Sequence, residues 1–110
     1  MKYKVKPLDS FKKNFKNLYK KYRNVKNDIQ ELTIKLQNNP HAGIQLQHNC
    51  YKIRVANSSV PTGKSGGFRT IYYVVSEHNT IYLIAIYSKT QKETISENEL
   101  LELLKINRLF

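Results

Sequence analysis

The sequence predicts an α+β fold. An N-terminal strand and a helical hairpin pack on a small antiparallel β-sheet with a C-terminal helix, in the order β-α-α-β-β-β-α. Three observations carry this reading. Two neighbouring stretches repeat apolar residues at helical spacing, with only a few residues between them. Three later stretches alternate or run apolar as strands do, and turn residues separate them. A capping signature then opens a last amphipathic stretch.

Tyr3 and Val5 alternate with Lys2, Lys4 and Lys6, the pattern of a short strand with one wet face. Pro7 ends it, and Asp9 or Ser10 is expected to cap the helix that follows, because their side-chain oxygens accept bonds from the first free N–H groups. Phe11, Phe15, Leu18 and Tyr22 form one stripe of that helix, and lysines 12, 13, 16, 20 and 21 fill its outer surface. Val25, Ile29, Leu32 and Leu36 repeat the stripe in a second helix, which Pro40 and Gly43 stop. The short connection makes the pair an antiparallel hairpin.

From Cys50 to Ala56, Tyr51, Ile53 and Val55 share one face of a strand, and Lys52 and Arg54 share the other. Residues 57–67 read as a loop. Phe68 to Val75 is a strand rich in aromatic and β-branched residues. Glu77, His78 and Asn79 make a turn, and Thr80 to Tyr87 is almost wholly apolar, as a strand covered on both faces would be. Ser96-Glu97-Asn98-Glu99 matches a capping box, and Leu100, Leu101, Leu103 and Leu104 give the last helix its apolar face. Three strands in sequence form a meander. The hairpin must cover one face, because two amphipathic helices need an apolar surface. The other face is expected to stay partly open, with the last helix beside it.

The chain has 110 residues, close to the commonest domain size, so one domain over 1–110 is expected. Its 40% hydrophobic and 25% charged residues are globular composition. The longest apolar run, Ile81 to Ile86, is far short of the roughly 20 residues that span a bilayer. No apolar signal segment opens the chain, so a cytoplasmic location is expected. A single cysteine, Cys50, excludes an internal disulfide framework and a Cys-based zinc cluster. It is expected as a half-buried strand residue.

Charge is the first functional clue. The net charge is +11, and residues 1–92 hold 17 basic and 4 acidic side chains, a net of +13, whereas residues 93–110 carry −2. Such an excess points to a polyanionic partner, most plausibly nucleic acid.

Lys52, Arg54, Arg69, Lys64, Tyr87 and Lys89 fall at strand ends and on the loop between them, where a meander can gather them into one basic concave site. Gly66 and Gly67 before Arg69 allow a ligand to approach the backbone closely. The plain alternative is that Lys52 and Arg54 are the wet face of an ordinary amphipathic strand. His41, His48 and His78 have no metal-ligand spacing and are expected as surface residues. Gly63-Lys64-Ser65 lacks the earlier glycine, preceding strand and following helix of a phosphate loop.

The stretch KIRVA, then GKSGGFRTIYY, then IYLIAIYSK resembles the RelE/ParE superfamily of bacterial toxin–antitoxin toxins, and is similar to its RelE-type and HigB-like mRNA-cleaving members. The opening FKKNFKNLYKKY also resembles the first helix of that group. The resemblance covers nearly the whole chain. It implies an endoribonuclease that needs no metal or other cofactor and cuts mRNA in the ribosomal A site, by attack of the RNA 2′-OH on the adjacent phosphate. It assigns catalysis to Lys52, Arg54, Arg69 and Lys89; Lys64 and Lys92 are expected to bind RNA. Some RelE-type enzymes carry a tyrosine before the last helix. Here Thr94-Ile95-Ser96 stands there, and Tyr87 is the substitute. The general base stays open, a lysine being one option. The implied partners are a cognate antitoxin protein, the ribosome and mRNA, with no membrane. The alternatives are a ParE-like inhibitor of DNA gyrase and a non-catalytic basic nucleic-acid-binding module.

Overall fold

The computed structural model describes residues 2–60, 67–91 and 94–109. The elements run β1 (Lys4–Pro7), α1 (Asp9–Lys21), α2 (Val25–Asn38), β2 (Ile44–Gln45), β3 (Cys50–Val55), β4 (Phe68–Val75), β5 (Thr80–Ser88) and α3 (Glu97–Ile106). The predicted α+β order is present, with the short strand β2 added. The strands form one sheet in the order β1-β5-β4-β3-β2. The meander β3-β4-β5 is antiparallel, and β1 pairs in parallel with β5 along the far edge.

The hairpin covers one face as predicted. Phe11, Leu18, Val25, Leu32 and Leu36 pack on Ile53, Val55, Phe68, Tyr72, Val74, Ile81, Leu83 and Ile86. Phe15 and Ile29 pack at the margin of this core, half-buried. The second face is less open than the sequence suggested. Leu100 and Leu104 of α3 sit on Cys50, Ile71, Ile84, Ala85 and Tyr87. Cys50 is therefore fully buried rather than half-buried.

Strand β5 serves both cores, and a bulge changes which of its residues face each. Ile71 pairs with Ala85 but Tyr72 pairs with Leu83, so Ile84 is the extra residue. The insertion re-phases the strand. Ile81, Leu83 and Ile86 reach the hairpin core, and Ile84, Ala85 and Tyr87 reach the α3 core.

The start of α1 corrects the sequence reading. Leu8, with extended backbone, stands at the N-cap, and neither Asp9 nor Ser10 caps the helix. The reason is tertiary: the Leu8 N–H donates to the Leu83 carbonyl at 3.0 Å, continuing the β1–β5 pairing to the helix edge. Ser10 turns inward instead. Its hydroxyl donates to the Ile84 carbonyl and accepts from Asn107 Nδ2, which also donates to the Leu103 carbonyl. These bonds tie the two ends of the chain together. The capping box at α3 is present, with Glu99 N–H on Ser96 Oγ and Ser96 N–H on Glu99 Oε1, both at 3.1 Å. His41, His48 and His78 are exposed.

Candidate anion site on the open sheet face

Sheet register decides which cations meet. Arg54 lies directly opposite Arg69, and Arg69 directly opposite Tyr87. One row along, Ile44 opposes Lys52, and Lys52 opposes Ile71. Directly opposed residues point to the same face. Lys52, Arg54, Arg69 and Tyr87 thus share the face on which α3 packs; Tyr87 lies in the α3 core, and no α3 residue lines the cavity of the other three.

Ile44, Lys52, Arg54 and Arg69 line one cavity of about 220 Å³. Arg69 is only 5% exposed, although arginine rarely lies this deep. Its Nη1 donates to the Phe68 carbonyl at 3.3 Å, which uses one of five guanidinium N–H donors. Among the described residues no carboxylate forms an ion pair with Lys52, Arg54 or Arg69. Arg54 also borders a second cavity that holds Asp28 and Glu31. Asp28 is itself engaged, its Oδ2 accepting the Ser58 N–H at 3.1 Å.

Like charges directly opposed across a sheet destabilise it. A buried cation without a counter-ion costs several kcal/mol, on the order of a broken buried pair. Only Arg69 is buried, whereas Arg54 is exposed and Lys52 half-buried, so water screens part of the repulsion and an anion bound between them would offset the rest. The arrangement suits an anion, and planar guanidinium groups suit phosphate best.

Tyr87 ends the row. Burial raises its phenol above the ordinary tyrosine value, the Arg69 charge opposes that rise, and Glu99 adds to it. The net effect keeps the O–H protonated at neutral pH, so Tyr87 can donate but not accept a proton. Its side chain borders a separate cavity of about 420 Å³ between α1, β5 and α3.

The structure gathers Lys52, Arg54 and Arg69 in one cavity and sets Tyr87 next to Arg69. Lys89 stands apart from that lining. It follows β5, and its N–H donates to the Gly67 carbonyl at 3.2 Å, which fixes the chain just before Arg69. Lys64 and Lys92 lie outside the described residues. The lining also includes Ile44, which the sequence did not single out. Its short strand follows Gly43 and gives no alternation to read. Among the described residues no group of three His, Cys, Asp or Glu side chains is placed to hold a metal ion. No described helix is long and apolar enough to cross a membrane.

Residues 5–93 match the sequence profile of the ParE toxin of type II toxin–antitoxin system, parDE. The backbone is similar to that of the E. coli toxin RelE in the free state, solved as a double arginine-to-alanine mutant. The TM-score is 0.62 at 17% identity, over 96% of this chain and 97% of that one. The same mutant in complex with a peptide of the antitoxin RelB gives 0.59 at 17% identity, over 93% of each chain. The isolated E. coli RelE toxin gives 0.51 at 18% identity, over 94% of this chain and 98% of that one. At these identities the likeness is one of fold.

Proposed function

This chain belongs to the RelE/ParE superfamily as a toxin of a type II toxin–antitoxin system, and on that footing we propose that it is an endoribonuclease that cuts mRNA on the ribosome and so inhibits translation. The observation that carries the proposal is the directly opposed Arg54–Arg69 pair, with Lys52 in the same cavity and no ion-paired carboxylate among the described residues. Three cations around one cavity stabilise the charge that builds on a phosphate under attack.

In this reading the RNA 2′-oxygen attacks the neighbouring phosphorus and the bond to the 5′-oxygen breaks. A 2′,3′-cyclic phosphate and a 5′-hydroxyl result. Arg69 holds two phosphate oxygens at once, and Arg54 neutralises the developing charge. A guanidinium does not give up its proton in proteins. Of the basic groups lining the cavity, Lys52 in its neutral amine form is therefore the one able to take the proton of the 2′-hydroxyl, becoming the third cation as charge builds on the phosphate. Tyr87, a protonated phenol, is the candidate donor to the leaving oxygen, a role that requires α3 to uncover its buried hydroxyl. Lys89 adds a further charge beside β5, and Lys64 and Lys92 are proposed to bind RNA. A cognate antitoxin restrains the toxin, as the RelB peptide binds RelE. Ribosomes place the activity in the cytoplasm.

The ParE profile match favours a second reading, inhibition of DNA gyrase without RNA cleavage. One experiment separates the two. The purified protein is added to ribosomes programmed with mRNA, and new 5′ ends are mapped. The parent cuts within the translated region. Folded Arg69→Ala cuts about 10²–10³-fold more slowly, the usual loss for one preorganised charge-stabilising donor. Intact mRNA with gyrase trapped on DNA transfers the assignment to the second reading. Cleavage by Arg69→Ala at the parent rate removes the proposed site.

A further inference from the structure

We infer that Ile44 is a nucleobase-binding residue: an apolar shelf beside the phosphate site, on which the base next to the bound phosphate rests. The inference deepens the reading above and rests on it.

Ile44 is 67% exposed, one of three large apolar side chains left so open among the described residues. A lone exposed isoleucine needs no explanation. This one differs in its position, because it lines the cavity with Lys52, Arg54 and Arg69 and directly opposes Lys52 across the sheet. It is also held. Its neighbour Gly43 donates its N–H to the hydroxyl of the fully buried Tyr72 at 3.0 Å. A Cβ at Gly43 would lie 2.7 Å from the Lys52 carbonyl oxygen, so β2 is pressed against β3 with no room for a side chain there. An exposed apolar residue on a two-residue edge strand is thereby pinned at a fixed height beside three cations.

The ligand that fits carries an anion and an apolar surface side by side. At about 220 Å³ the cavity is smaller than the roughly 300–1,000 Å³ pockets that enclose a drug-sized ligand. It holds one phosphate and leaves the adjoining group outside on the rim, where Ile44 stands. In a polynucleotide the apolar surface nearest a phosphate is the face of a base. Contact with an aliphatic side chain reads no hydrogen-bond pattern. The shelf therefore tolerates every base and favours a purine, which covers more of the isoleucine.

The test measures binding of three probes to the folded full chain by NMR titration. The probes are inorganic phosphate, an adenine dinucleotide without the attacking 2′-hydroxyl, and its analogue lacking the base. Ile44→Ser is expected to weaken the dinucleotide by about 10-fold, the order given by burying most of an aliphatic side chain, and to leave phosphate and the abasic probe unchanged. Ile44→Leu restores the affinity. Ile34→Ser, at an equally exposed isoleucine on α2, changes nothing. Arg69→Ala weakens all three probes. If Ile44→Ser binds the dinucleotide as the parent does, the shelf is wrong and the phosphate site stands. If the parent binds no probe, or Arg69→Ala binds all three unchanged, the phosphate site and the shelf fall together.

Discussion

Cys50 is a residue whose chemistry is set by its surroundings. Its Sγ lies 3.6 Å from the His48 carbonyl, and its neighbours in the α3 core are apolar. Burial pushes its thiol from 9.0 up to about 12. Low thiolate content and zero exposure make it unreactive in the folded chain. The linkage has a definite sign. Below pH 9 the thiol is protonated in both folded and unfolded chains and favours neither. Between pH 9 and about 12 the unfolded chain ionises first, so stability falls as pH rises through that window. Denaturant midpoints should therefore drop more steeply over this range in the parent than in Cys50→Ala. Labelling by a thiol reagent at pH 8 should track global unfolding. Fast labelling of the folded chain would mean that the α3 core opens readily.

At the scale of elements, the site depends on a strand too short to hold itself. β2 has two residues, and its place comes from the close approach at Gly43. Gly43→Ala would push a methyl group into the backbone carbonyl of Lys52, which cannot swing aside as a side chain can. The expected cost is about 1–3 kcal/mol, as for other overpacked positions, read as a lowered denaturant midpoint. The phosphate cavity should widen as well, because Ile44 forms one wall. Unchanged stability would show that β2 moves freely on β3. The turn into β3 shows why this segment hides in the sequence. His48 and Asn49 take φ of 59° and 62° without a glycine, so a reversal occurs where composition marks none.

For the whole molecule, charge is segregated. The outer face of α1 exposes lysines 12, 13, 16, 20 and 21, the sheet cavity holds three more cations, and α3 exposes Glu97, Glu99 and Glu102. On the proposed function, binding to single-stranded RNA is expected to weaken with salt, because each neutralised phosphate releases counter-ions and adds about −0.7 to the slope of log K against log salt. Arg54→Gln should reduce the slope by about 0.7, and Lys13→Gln should leave it unchanged. Filter binding of a short RNA over a salt series measures both. An equal loss in Lys13→Gln would make the α1 face a second RNA surface.

By itself the sequence determined the elements and the chemistry at hand. Helical stripes, strand alternation and the Ser96–Glu99 capping box are near-neighbour patterns, and they specified the element order, the hairpin-covered face and the start of α3. Lys52, Arg54 and Arg69 were readable as candidates because a strand fixes which of its own residues share a face. Only the tertiary structure decided the rest. The depth of Arg69 is set by β3 and β5, which flank it and bury it. Its opposition to Arg54 depends on register between strands. Which core Ala85, Ile86 and Tyr87 face depends on one extra residue at Ile84. Leu83 takes the Leu8 N–H, which displaces the cap expected from Asp9 or Ser10. Ile44 enters the site through pairing with Lys52, across a turn that the sequence does not mark. In each case the deciding partner lies on another element. Local spacing records what a segment can form, and packing selects what it faces.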